Sequence, residues 1–401
     1  MKKVNLRSVI LDLVLQRGAI TRPELAEETG VRAASIIETV DGLKQEGILC
    51  EPARMGKRTG RKAPQLRLNP DHFYTVGIDF QVRKTLAALV DLAGNALYAA
   101  ELPALERGTL SACRNEVRAV LRQLRDQAGA EWDRVKGIGF SDPGLVDVQK
   151  GMSIRAVNVP GWENARTGEW LTGENGIPAS VWPECTVKTF MEYLVRSPGM
   201  HGSLFHLGMD DGIGGGFIKD GECFIGDTNQ AMEIGHIVID PAGPLCQCGN
   251  RGCLEALAGE TGIRRRIYEA INSGVDTVLN LESFSLHDFT ECAKHDKAAH
   301  IIASEVSESI GRALAVAVTL LNPSVIVLSG ELTGLGDLLL ESIRRVLSLS
   351  CFTGAVRNLK LEFSRLEKTD AARGAAILMR NRLLRRTEDQ CFRLISARQS
   401  K

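Results

Sequence analysis

Glu233–Glu255 reads EIGHIVIDPAGPLCQCGNRGCLE, and this segment concentrates more chemistry than any other of its length in the chain. Cys246, Cys248 and Cys253 form a C-x-C-x4-C cluster, with His236 a short loop upstream. Three thiolates and one imidazole at this spacing suit tetrahedral zinc in a closed structural site that contributes to folding. Gly249 and Gly252 let the backbone turn tightly enough for such near neighbours to converge on one ion. The bland alternative is three incidental cysteines in a loop. Closely spaced cysteines with a nearby histidine in a cytosolic chain favour the metal. The other seven cysteines are scattered and read as small apolar fillers.

Glu233-x-x-His236 followed by Cys-x-Cys-Gly-x-x-Gly-Cys-x-Glu resembles the signature of the ROK family, which groups bacterial sugar kinases with sugar-responsive transcriptional repressors. The resemblance implies that Glu233, His236 and Glu255 hydrogen-bond sugar hydroxyls, with His236 giving its other ring nitrogen to zinc. A zinc-bound imidazole has a fixed tautomer and orientation, so a ligand hydroxyl meets a pre-set partner. Met232 departs from the family, which has glycine just before the Glu. The fold implied is α/β: an N-terminal winged helix-turn-helix followed by an actin-like ATPase (ribonuclease H-like) domain of the two-lobed sugar-kinase type.

The chain has 401 residues, 44% hydrophobic and 24% charged, enough for two or three packed units. No apolar leader follows the first basic residues, and the longest apolar run, around Ala313–Leu321, is too short to span a bilayer. A cytoplasmic protein without membrane attachment is expected. Net charge is zero, yet residues 1–68 hold 13 Lys/Arg and 8 Asp/Glu. That leaves +5 in the first segment and −5 in the rest, so an anionic partner binds at the N-terminal end.

The first 68 residues have the pattern of a winged helix-turn-helix. An apolar-periodic run from Val4 to Leu15, closed by Gly18, reads as one helix. Thr21 and Glu24 make a capping box, with Pro23 in the first turn of a second helix through Thr29. After the Gly30-Val31 turn a third helix runs from about Arg32 to Gln45, with Ile36, Ile37, Val40 and Leu43 as its apolar face. Its early residues Arg32, Ala33, Ser35 and Thr39 would face the major groove. Ile48-Leu49 and Leu66–Leu68 read as strands flanking a basic loop with Lys57, Arg58, Arg61 and Lys62, which suits phosphates or a narrow minor groove. A basic loop alone is usually solvated surface; behind three helices of this spacing it points to double-stranded DNA, and it resembles the wing of ROK repressors.

Residues 69–74 read as a linker, 75–380 as the sugar-sensing domain and 381–401 as a basic tail that either forms a solvated helix or contacts the DNA-binding end. Thr75–Asp79 and Thr85–Asp91 read as the opening hairpin of the actin-like fold. In the family's kinases the first strand ends in Asp-x-Gly-Gly-Thr, whose glycines let backbone amides approach ATP phosphates. This chain has Asp79-Phe80-Gln81-Val82-Arg83, which argues against ATP use. By the resemblance Asn158, before Pro160-Gly161-Trp162, contacts the sugar; a strand-end turn over a buried Trp reads equally well. The kinases' Asn-Asp base pair falls on Pro183-Glu184. Glu184 keeps the charge but adds a methylene, and a shift of about 1 Å can cost on the order of a hundredfold in rate; it can still bind a sugar hydroxyl or be a surface carboxylate. Asp210–Gly216 resembles the second phosphate loop and Asn322–Glu331 the adenosine-facing strand and turn, although glycine loops are weak signals alone. Two long amphipathic helices, near 298–321 and 335–347, complete this part.

The residues and the resemblance together describe a sugar-responsive DNA-binding regulator, a repressor with a catalytically degenerate kinase-like sensor, assembled as a homodimer or homotetramer to read palindromic half-sites. The alternatives are an active ATP-dependent sugar kinase with a DNA-binding arm, and a regulator that answers to a phosphorylated metabolite or a protein partner.

Overall fold

A computed structural model describes residues 6–51, 63–104, 107–196 and 202–385. The chain opens with α1 (Leu6–Arg17), β1 (Ile20–Thr21), α2 (Arg22–Thr29), α3 (Ala33–Gln45), β2 (Leu49–Cys50) and β3 (Gln65–Leu68). The strands form an antiparallel sheet in the order β1–β3–β2. The capping box sets the start of α2: Glu24 accepts from the Thr21 backbone N at 2.8 Å, and Gly30 ends the helix at φ +66°. A left-handed turn there suits glycine, which has no Cβ to clash. Ile10, Val14, Leu25, Ile36, Val40 and Leu43 fill the core beneath. The basic-loop residues Lys57, Arg58, Arg61 and Lys62 lie outside the described residues.

Next come β4 (Tyr74–Phe80), β5 (Lys84–Val90), β6 (Ala96–Pro103), α4 (Leu110–Ala128), β7 (Val135–Asp142), β8 (Leu145–Asp147), β9 (Met152–Arg155), β10 (Glu163–Ala165), α5 (Thr167–Asn175), β11 (Ala179–Pro183) and α6 (Glu184–Arg196). The main sheet runs β11–β7–β4–β5–β6; β4, β5 and β6 are antiparallel, while β7 and β11 join in parallel. The strands β8–β9–β10 form a small antiparallel sheet of their own.

Then follow β12 (Ser203–Met209), β13 (Ile213–Lys219), β14 (Glu222–Cys223), α7 (Leu254–Ala258), α8 (Glu260–Asn272), α9 (Leu286–Cys292), α10 (Lys297–Leu321), β15 (Val325–Ser329), α11 (Asp337–Ser350), α12 (Thr353–Val356), β16 (Lys360–Phe363) and α13 (Asp370–Arg385). The second five-stranded sheet has the order β14–β13–β12–β15–β16, the same order of strands as the first. This duplicated pattern is the α/β architecture expected. Among the described residues, no helix is long and apolar enough to cross a membrane.

The chain divides into two compact units, one of residues 1–201, 219–223 and 366–401, the other of 202–218 and 224–365. In the first, α13 lies directly on β4 and β7. A Cβ on Gly77 would sit 1.7 Å from Ala372 O, and one on Gly139 2.0 Å from Ala375 O, so only glycine permits this approach. The N-terminal core is closed by Phe73, Leu92 and Leu384 as well as by its own helices. The sequence places a solvated tail from residue 381. Instead Asn381 and Leu384 are buried, and Arg382 Nη1 donates to Ser180 Oγ at 2.6 Å. The apolar residues Leu383 and Leu384, between arginines in the sequence, are what carry the helix into the core.

Candidate functional site

Three side chains of the second unit converge on the glycine-rich hairpin 210–216. Glu255, in the first turn of α7, accepts the Ile213 backbone N through Oε2 at 3.0 Å. Gly235 packs so close that a Cβ there would lie 2.1 Å from Ile213 O. Glu233 and His236 flank that glycine on a single 3-10 turn, Ile234–His236. Crowding by the protein pushes the Glu233 carboxyl above its ordinary range, and Glu255 adds to this while His236 opposes it. Met232 keeps the backbone of the glycine it replaces, at φ +69°, a conformation that costs a bulky residue roughly 1–2 kcal/mol.

The segment 238–253 is a knot of tight turns. Ile239 N donates to Gly252 O at 2.8 Å, Gly252 N to Pro244 O at 2.8 Å and Cys246 N to Asn250 O at 2.7 Å. Gly252, at φ +67°, has Asp240 O where a Cβ would stand. The result brings one ligand atom from each of His236, Cys246, Cys248 and Cys253 within 4.8 Å of the others, a cluster able to hold a metal ion. Cys246 Sγ lies 3.7 Å from His236 Nδ1, and Cys248 Sγ 3.6 Å from Cys253 Sγ. His236 thus turns Nδ1 towards the sulfurs and keeps Nε2 on its opposite edge. Burial and then the neighbouring thiols push the Cys253 thiol up to about 12, whereas the Asn250 amide holds Cys248 down.

In the first unit the carboxyl ends of three parallel strands line up, with Asp79 opposite Ser141 and Asp142 opposite Pro183. Such strand ends are the usual ligand edge of an open α/β sheet. Asn158 is half-buried in the turn 156–162, closed by hydrogen bonds from Ala156 N to Trp162 O and from Trp162 N to Val159 O, each 3.1 Å. Buried Asp142 ties this turn to β7, accepting from Trp162 Nε1 at 2.8 Å, Gly144 N at 2.9 Å and Ser153 Oγ at 3.0 Å. Sequence reasoning named Asn158 and Trp162 but missed Asp142, whose role needed the fold. Glu184 opens α6 and pairs with Lys188 Nζ at 2.6 Å.

The loops that resemble nucleotide-binding elements are engaged by the chain's own groups. Buried Asp79 accepts from Ser141 Oγ at 2.9 Å and from Gln81 Nε2. The β4–β5 turn is pinned by Arg107, whose Nη1 donates to Gln81 O at 2.6 Å and Val82 O at 2.9 Å. Arg107 also pairs with buried Glu116 and covers the Phe80 ring at 4.3 Å. In the second unit, Asp210 Oδ1 accepts from Glu331 N at 3.0 Å.

On α3, Arg32 and Ala33 are exposed, but Ser35 and Thr39 are half-buried and Thr39 Oγ1 donates to Ser35 O at 2.8 Å. Sequence reasoning put Ile37 on the apolar face; it is exposed, together with Ala34 and Glu38. The 100° step of the helix carries position 37 off the core stripe of Ile36, Val40 and Leu43.

The sequence profile of the ROK family matches residues 75–382. The chain belongs to the ROK family. It is 25% identical over 386 residues to the DNA-binding transcriptional dual regulator NagC of Escherichia coli, covering 93% of this chain and 92% of NagC. A ROK family transcriptional regulator described as a homolog of the E. coli MLC protein superposes with a TM-score of 0.80 at 25% identity, covering 92% of this chain and 94% of that one. A ROK family glucokinase from Streptomyces griseus, solved with glucose and AMPPNP, has a TM-score of 0.65 at 24% identity, covering 77% of this chain and 99% of the kinase. The kinase likeness establishes the fold of the family's sugar-kinase type.

Proposed function

We propose that this ROK protein is a sugar-responsive DNA-binding transcriptional repressor whose kinase-like part senses a sugar without phosphorylating it. The observation that carries the reading is that regulators match the chain over nine-tenths of both lengths. The likeness to a whole kinase leaves about a quarter of this chain over. The first 68 residues are a winged helix-turn-helix, with α2 and α3 as the helix pair and the span between β2 and β3 as a basic wing. Lys57, Arg58, Arg61 and Lys62 meet phosphates or the minor groove, and Arg32 and Ala33 enter the major groove.

Sugar hydroxyls are held by Glu233, Glu255 and His236 Nε2, and Asn158 and Glu184 are further sugar-contacting residues. The ion is structural zinc. Tetrahedral coordination at Zn–S of about 2.3 Å and Zn–N of about 2.1 Å sets ligand atoms roughly 3.6–3.8 Å apart; the His236–Cys246 and Cys248–Cys253 separations are 3.7 and 3.6 Å, and all pairs in the cluster lie within 4.8 Å. His236, Cys246, Cys248 and Cys253 hold it, and it fixes the imidazole that faces the sugar.

Phosphoryl transfer has no support from these side chains. Asp79 is engaged by Ser141 and Gln81, Asp210 on the second loop accepts from Glu331 N, and Glu184 already carries Lys188. The protein works in the cytoplasm as a homodimer or homotetramer, since paired recognition helices read palindromic half-sites. A thermal-shift screen of the zinc-loaded protein against sugars, with and without Mg-ATP, tests the reading, because a ligand of the folded state raises Tm. A shift with one sugar and none with ATP is expected, and that sugar must also change affinity for operator DNA. Sugar-dependent ATP turnover would overturn it in favour of a kinase carrying a DNA-binding arm.

A further inference from the structure

The first turns of α3 carry a short run of apolar groups on their outward face. Ala33, Ala34 and Ile37 are exposed in succession over its first turns, with Ile37 at 47%. A single exposed isoleucine is ordinary on a protein surface. Here it stands one turn beyond Ala33 on the same face, with the exposed carboxylates of Glu38 and Asp41 bordering the apolar strip on its C-terminal side. Thr39 spends its hydroxyl on Ser35 O. Asp41 pairs with Arg22 at 3.0 Å, and Lys44 with Glu51 at 3.2 Å. Among the described residues of α3, Lys44 is held by Glu51 and exposed Gln45 stands two turns beyond Ile37, so the helix carries no donor beside Ala33, Ala34 and Ile37 for the bidentate contacts that identify guanine and adenine. In the major groove the complement of a methyl-lined surface is the 5-methyl group of thymine.

We infer that α3 reads its half-site through thymine methyl groups, with Ile37 as the specificity-determining residue and Ala33 and Ala34 allowing the helix close approach. The inference rests on the DNA-binding reading proposed above. The +5 charge of residues 1–68 gives that segment its affinity for the duplex, and this apolar strip chooses the sequence. Glu38, exposed beside Ile37, repels the phosphate backbone and so disfavours shallow, non-specific seating of the helix.

The test uses the full-length zinc-loaded protein. Duplexes are selected from a random library, and each thymine of the selected site is then replaced singly by deoxyuridine, which removes only the methyl group. At least one such replacement weakens wild-type binding about fourfold, the equivalent of one buried methyl at ~0.8 kcal/mol. The Ile37→Ser variant, exposed and folded by circular dichroism, binds the thymine and deoxyuridine duplexes equally. If a site is selected but every deoxyuridine is tolerated, or Ile37→Ser keeps the full penalty, the inference falls while the regulator reading stands. If no duplex is selected, the DNA-binding reading itself fails and takes the inference with it.

Discussion

Trp162 Nε1 donates to Asp142 Oδ2 at 2.8 Å between two fully buried side chains, and this bond fastens the turn bearing Asn158 to the end of β7. Phe80 and Phe140 pack on the Trp162 ring at 4.8 and 5.9 Å, so the indole is held by its rim as well as by its nitrogen. The turn bearing Asn158 thereby inherits the rigidity of the sheet.

Asp142 gives a pH signature. Burial outweighs its three donors and pushes its carboxyl up to about 6 from an ordinary 3.8. A raised carboxyl favours the proton in the folded state, so its stabilising contribution is complete below about pH 4 and is lost as pH rises through 6. A shift of this size corresponds to a span on the order of 3 kcal/mol. Asp142→Asn cannot ionise, so urea unfolding from pH 4 to 7 shows the wild type losing stability relative to the variant. A difference that stays flat with pH rules the mechanism out.

The cysteine cluster makes a second expectation. Metal analysis of the purified protein gives one zinc per chain, and Cys253→Ser or His236→Gln lowers that to a small fraction. Zinc binding displaces the thiol protons, and those of Cys253 and Cys246 are held tightly in the metal-free site. Occupancy therefore falls as the solution is acidified. Cys113→Ser, at a buried cysteine far from this segment in sequence, leaves the zinc content unchanged; a loss there would mean the ion sits elsewhere.

Much of this was legible in the sequence. The capping box of Thr21 and Glu24, the hairpin β4–β5 and the metal cluster follow from local patterns that the fold leaves intact. The exposure of Ile37 was not, because an apolar run of two isoleucines does not say which one faces the core until the helix phase is set. The end of α13, residues 381–385, was read as part of a solvated tail because arginines dominate the composition there, whereas Asn381 and Leu384 are buried. Nor could spacing reveal that Asp142 holds the Asn158 turn, since that bond links residues 20 apart through a strand, a hairpin and a loop.

Restoring the family's base should not restore catalysis. With Pro183→Asn and Glu184→Asp together, the carboxylate and its amide partner return to the family pattern, yet Asp79 still accepts from Ser141 and Gln81 and Arg107 still pins the β4–β5 turn. Coupled assay of ADP release with the identified sugar stays at background in both the wild type and the double variant. Turnover in the double variant would show that the base alone had been missing.

Leu384 tests whether the C-terminal helix is part of the N-terminal core. It is 4% exposed and packs with Phe73 and Leu92 among the buried residues of the N-terminal segment. Arg380 Nη1 on Leu92 O and Arg373 Nε on Gly94 O at 2.7 Å hold the same turn. Truncating a buried leucine costs about 2–5 kcal/mol through lost burial and the cavity left behind, and here that cost falls where α1, the linker and α13 meet. Leu384→Ala therefore lowers stability by this order and weakens operator binding. Leu320→Ala, at a position 75% exposed on α10, stays within about 0.5 kcal/mol of the wild type. If the two variants unfold alike in urea, α13 contributes nothing to the N-terminal core, and its arginines act only at the surface.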